Sequence, residues 1–345
     1  MNNSKYILWS RRRDFPSMNA ITAIVLLIFT VGLSSLTSLG YGGLVFTSLS
    51  GISFGALLCG MRNPLPWISV PLTAIIAYVL SGDVISAATA LLFVPIGVVI
   101  AYASFTERNL SVTCVLLTVT FLLTTALSLC HSVVETYGLS LTESFRAFAS
   151  DMKAMINEAF SLISFPMADN EMFTLSKEDI SALTEQTVML LPAVIVLSCE
   201  AIAYGSAKLF RVCSKPLGYA YLFKGREWRV SLSAPAGIIL IISLIISLFS
   251  SEAGVIAYAA INLCYIIMPM AAVAGFHELF RKGGMLRRPM TPTSRIILIV
   301  SIAAISMMSP FAAVEMLSIF GACAAIGRSL TAYLKSKREE DDNIQ

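Results

Sequence analysis

Apolar runs about 20 residues long, broken by short polar stretches, occupy residues 19 to 38, 42 to 60, 65 to 81, 84 to 104 and 110 to 131. They resume over 187 to 209, 232 to 250, 254 to 278 and 295 to 327. A bilayer core about 30 Å thick is crossed by roughly 20 helical residues, so each run has the length of a span. None shows the alternation of a barrel strand. The pattern predicts an all-α, polytopic transmembrane helical bundle of nine to ten membrane segments. The uncertainty of one segment lies in the final run, which Pro310 divides. A hairpin of two short helices gives ten segments and a cytoplasmic tail; a single tilted span gives nine and an external tail. The hairpin is the reading adopted.

The polar stretch between the two halves is itself patterned. Ser140 and Glu143 have capping-box spacing ahead of Phe145, Phe148, Met152, Met155, Ile156 and Phe160, which recur at helical i, i+3, i+4 intervals. This predicts an extracytoplasmic amphipathic helix that lies on the outer leaflet, caps the bundle or meets a partner. A second box, Ser176 with Asp179, starts a helix running into the sixth span. The organisation is therefore a cytoplasmic N-terminus (1–18), a five-span half (19–131), the outer segment (132–186), a second membrane half with basic loops (187–330) and a charged tail (331–345).

Composition agrees: 57% of residues are hydrophobic, 13% are charged, and the mean hydropathy is +0.79. The net charge of +3 matters less than its distribution. All but three of the 24 Lys and Arg residues fall on one side of the spans. The exceptions, Arg146, Lys153 and Lys177, lie in the outer segment among Glu135, Glu143, Asp151, Glu158, Asp169, Glu171, Glu178, Asp179 and Glu185. The positive-inside rule then places the N-terminus in the cytoplasm of a multi-pass plasma-membrane protein. Arg11, Arg12 and Arg13 before the first run imitate a signal peptide, but no clear cleavage site follows, so that run is read as a retained span. The bilayer is the expected partner, together with a membrane or cytoplasmic protein; the basic loops flank spans, so no nucleic acid is expected.

Charge inside a span is costly and marks candidate function. Glu200 lies about 12 Å along its helix from Lys208, too deep to snorkel easily. Such an acid is a neutral group bonded between helices, faces a watery cavity, or awaits a cation. Glu315 is the second intramembrane acid, and Asn262 with Tyr258 and Tyr265 adds a polar stripe to the eighth span. These five residues form the candidate substrate or proton site. Pro71, Pro95, Pro192 and Pro269 interrupt spans, as kinks or as broken helices lining a cavity. Gly51 with Gly55, Ala56 with Gly60, and Gly321 with Ala325 permit close helix approach, within the chain or to another subunit. Lys215, Lys224, Arg226, Trp228 and Arg229 mix cations with aromatics, which suits headgroup anchoring or a cytoplasmic docking surface.

Enzyme signatures are missing. His277-Glu278 begins like a zinc-protease motif, but Arg281 stands where the second histidine is required. The seven cysteines have neither metal-ligand nor disulfide spacing and read mostly as small packing residues. Phosphate loops and nucleophile elbows are absent, so no catalytic residue, metal or cofactor is expected.

From residue 187 onward the order of features resembles the YybS-like family of bacterial membrane proteins. Pro192 lies in a span, a basic loop follows (Lys208, Arg211, Lys215), and Glu227-Trp228-Arg229 closely precedes Pro235. Asn262, Gly275 and a basic tail complete the likeness, and Arg62 with Pro64 extends it into the early spans. The resemblance implies an integral inner-membrane protein without an established activity. It also implies a remote likeness to the substrate-capture subunits of energy-coupling-factor transporters, which bind a small molecule near the outer face. A transport-type function is therefore expected, with a non-transporting envelope scaffold or assembly factor as the alternative.

Overall fold

A computed structural model describes residues 18–40, 43–61, 64–106, 108–162, 164–166, 172–217, 230–249, 254–279 and 291–344. Helices account for nearly all of it, with one short antiparallel pair, β1 (Ser164–Pro166) and β2 (Met172–Thr174), in which Phe165 faces Phe173 in register. The first helices are α1 (Ala20–Thr37), α2 (Gly43–Gly60), α3 (Ser69–Ser81), α4 (Val84–Thr89), α5 (Phe93–Phe105) and α6 (Leu110–Tyr137). Then come α7 (Leu141–Ser161), α8 (Lys177–Ser214), α9 (Ala234–Phe249), α10 (Val255–Leu279), α11 (Pro292–Met308) and α12 (Pro310–Ile344). Among the described residues, seven helical stretches are long and apolar enough to cross a membrane, and three apolar helical stretches are shorter. Large apolar side chains such as Val79, Leu248 and Val255 are three-quarters or more exposed, which is costly in water and natural against lipid.

Local chemistry sets the helix ends. Asn19, Asn109 and Ser176 each cap a helix through a side-chain oxygen, and at Ser176 the backbone N–H donates in return to the Asp179 carboxylate, which completes the expected box. From there α8 runs unbroken through the sixth apolar run. At Ser140 the hydroxyl instead donates to the Glu143 carboxylate at 2.7 Å, so α7 begins at the expected place without a box. Pro71 and Pro95 sit in the first turns of α3 and α5, each behind a 3-10 turn, where the missing N–H is no loss. Pro192 and Pro269 lie inside helices. Ser309 separates α11 from α12, so the last apolar run is divided at Pro310. No helix boundary separates the expected tail at 331, because α12 continues through it to Ile344.

The chain forms two compact units: residues 1–191 with 198–228, and residues 192–197 with 229–345. In the first, α2 crosses α5 closely, because Gly51 and Gly55 leave room for Ile96, Ile100 and the Gly97 backbone. Phe54 lies edge-on to Phe93 (5.2 Å) and to Trp67 (5.5 Å) beneath that crossing. Hydroxyl contacts tie α1 to α3 (Ser34 to Thr73, 3.3 Å) and α2 to α8 (Ser48 to Ser206, 2.6 Å). Tyr137 donates to Asp151 at 2.7 Å, holding α7 against α6, and Lys153 pairs with Glu185 of α8.

In the second unit α10 and α12 meet at Gly275 and Gly321, each against the other helix's backbone. Leu240, Cys264, Ala271 and Ala322 fill the core beside them. The glycines therefore serve contacts within the chain.

Candidate functional site

The first unit contains a cavity of about 350 Å³ lined by the end of α1, the start of α2, α4 and the second half of α6. That volume sits at the lower end of the roughly 300–1,000 Å³ typical of small-molecule sites. Its walls are rich in hydroxyls: Thr37 and Ser38 from the end of α1, Thr47 from α2, and Ser86 and Thr89 from α4. On α6, Thr124, Thr125, Ser128, His131, Ser132 and Glu135 recur at i, i+1, i+4, i+7, i+8 and i+11, which is one helix face. Gly40 (φ 78°) and Gly43 (φ 40°) line the link from α1 to α2, where the chain turns through conformations that side-chain-bearing residues resist.

The charged groups stand together. His131 Nε2 lies 3.2 Å from Glu135 Oε2, with the imidazole 20% exposed and the carboxylate 65% exposed. Asp83 caps α4 and accepts from the Ser86 N–H at 2.6 Å, which fixes Ser86 in the wall. The Ser86 N–H and then the Ser86 hydroxyl hold the Asp83 carboxyl below its ordinary value, and His131 is near enough to contribute. No Lys or Arg is found among the described lining residues.

Glu200 is half-buried on α8, and among the described residues its Oε2 has no hydrogen-bond partner. It shares a helix face with Tyr204 and Lys208, whose ammonium lies 5.3 Å from the Tyr204 ring centre. It is not part of the cavity wall. Its neighbour Cys199 meets the lining residue Thr125 at 3.8 Å.

The remaining expected residues lie elsewhere. Asn262 belongs to the second unit, where its Oδ1 accepts from the Ala193 N–H at 3.2 Å, just past Pro192, and its Nδ2 donates to the Tyr258 carbonyl at 2.9 Å. Tyr258 is half-buried, Tyr265 is 43% exposed, and Glu315 is exposed on α12. Lys215 is exposed just past α8, whereas Lys224, Arg226, Trp228 and Arg229 lie outside the described residues. His277 accepts from the Val230 N–H at 3.1 Å, and Glu278 pairs with Arg328 of α12. Among the described residues no cluster of His, Cys, Asp and Glu could hold a metal ion.

The α6 stripe is the site that the apolar reading passes over. Its signal is a helical period of polar residues inside a run apolar enough to span, and mean hydropathy hides it. The fold and this site define a polytopic helical membrane protein with a small polar cavity. The chain belongs to the predicted membrane protein family DUF2232, whose profile matches residues 55–320. No curated protein and no solved structure matches it.

Proposed function

We propose that this protein binds a small polar solute at the hydroxyl-lined cavity as a transport-type or substrate-capture subunit of the plasma membrane. The cavity carries this reading: nine Ser and Thr side chains and the His131–Glu135 pair converge from separate helices on one space of small-molecule size. The sorted Lys and Arg residues support a cytoplasmic N-terminus, and the three shorter apolar helices bring the membrane segments to ten. In that orientation the ends of α1 and α6 face outward, so the cavity opens to the outside, as capture requires. A non-transporting scaffold is the second reading, favoured by α7, whose Met155 is 65% exposed on the apolar stripe. Glu200, next in sequence to the Cys199 that meets Thr125, serves the first reading as a proton or cation site and the second as a neutral buried acid.

Cysteine labelling tests the cavity. With exposed native cysteines replaced, Ser128→Cys should react with an impermeant thiol reagent added outside intact cells. No reaction from either side of the membrane would exclude a solvent-filled site and leave the scaffold reading.

A further inference from the structure

We infer that the ligand of this cavity is a small organic cation carrying N–H donors, with Glu135 as the anchor for its ammonium; this rests on the cavity being a solute site. The direction of the hydrogen bonds decides the class. A Ser or Thr hydroxyl has one proton to give and two lone pairs. Thr37 donates to the Ser34 carbonyl (2.6 Å), Ser38 to Ser35 (2.7 Å) and Thr47 to Gly43 (3.0 Å). Thr89 donates to Ser86 (2.8 Å) and Thr124 to Phe121 (2.9 Å). The protons of these hydroxyls are thus committed to their own helices. What their oxygens can offer a ligand is lone pairs, and Glu135 adds a carboxylate that only accepts.

Thr125, Ser128, Ser132 and the His131 ring can also donate, yet the five committed hydroxyls and the Glu135 carboxylate leave the wall richer in acceptors, which favours a ligand rich in donors. A carboxylate or phosphate would meet lone pairs and a like charge with no Lys or Arg in the described wall to balance it. An ammonium meets several oxygens and a counter-charge, the arrangement in which charged hydrogen bonds are strong. Size and ligand type argue against a metal ion, since 350 Å³ far exceeds one dehydrated ion and no metal-ligating cluster exists among the described residues. His131, whose Nε2 lies 3.2 Å from the Glu135 carboxylate, is the built-in competitor: when protonated it pairs with the group that the ligand needs. Asp83, which caps α4 nearby, adds negative potential without entering the wall.

The test uses the full-length protein in lipid nanodiscs, with thermal unfolding followed against ethanolamine, putrescine and agmatine. Ethylene glycol is the neutral probe, malonate the anionic one, and sodium and potassium chloride the metal-ion controls. At least one amine should raise the unfolding midpoint. Glu135→Gln should weaken its binding at least tenfold, Glu135→Asp should retain part of it, and His131→Lys should abolish it by placing a tethered ammonium at Glu135. Tighter binding of malonate or ethylene glycol, an equal effect of the alkali chlorides, equal affinity in Glu135→Gln, or no protection by any amine would each overturn the assignment. Labelling of Ser128→Cys separates the two levels. If the cysteine reacts and malonate or ethylene glycol blocks it while amines do not, the cavity stands and the cation falls; if it never reacts, both fall.

Discussion

Ser and Thr inside membrane helices satisfy themselves by bonding the carbonyl one turn back, which lets them line a bundle at little cost. Thr30, Ser50, Ser53 and Ser104 do so in buried places, and the same habit leaves the cavity oxygens of Thr47 and Thr124 as acceptors. An amide can do more. Asn262 reaches across from α10 to the Ala193 N–H beside Pro192, where the regular ladder of α8 is interrupted. Asn262→Leu removes that acceptor and should cost about 1–2 kcal/mol, the scale of a buried donor left without its partner. A detergent-solubilised variant melting at the parental temperature would show the bond to be dispensable.

Elements in this bundle meet where glycine allows it. A Cβ at Gly275 would fall on the Leu317 carbonyl, and one at Gly321 on the Ala271 carbonyl, so neither clash can be relieved by turning a side chain. Gly275→Ala and Gly321→Ala should therefore each lose about 1–3 kcal/mol by forcing α10 from α12. Gly32 has nothing within 4 Å of its added Cβ, so Gly32→Ala should be neutral or gain up to about 1 kcal/mol from helix propensity. Melting the three variants side by side checks the contrast, and an equal response would mean that backbone proximity does not set their stability.

For the whole molecule the proposed topology makes a sidedness prediction. In a background without reactive native cysteines, Ser150→Cys on α7 should be labelled from outside intact cells. Ser336→Cys on α12 should react only after permeabilisation. Labelling of position 336 in intact cells would favour the single tilted span and an external tail. Both positions are exposed, so reagent access is set by the membrane.

Much of this architecture is legible along the chain because lipid imposes it locally. A helix in a bilayer must satisfy its own backbone and present apolar side chains, so runs at Ala20–Thr37 or Val255–Leu279 announce themselves by length alone. The same holds for caps: Ser176 and Asp179 bond within one turn, and their spacing suffices. The site is different. Glu200 was conspicuous as an acid in an apolar run, yet the wall is built from Thr47, Ser86, Ser128 and His131, contributed by three helices. Each is unremarkable in its own segment, and their convergence depends on how closely α2 can cross α5 at Gly51 and Gly55 and on how Asp83 turns α4. Hydropathy and local bonding thus determined the class and the helices of this protein from sequence alone. Only the tertiary structure decided which polar faces enclose a cavity, because that depends on packing between residues far apart in the chain.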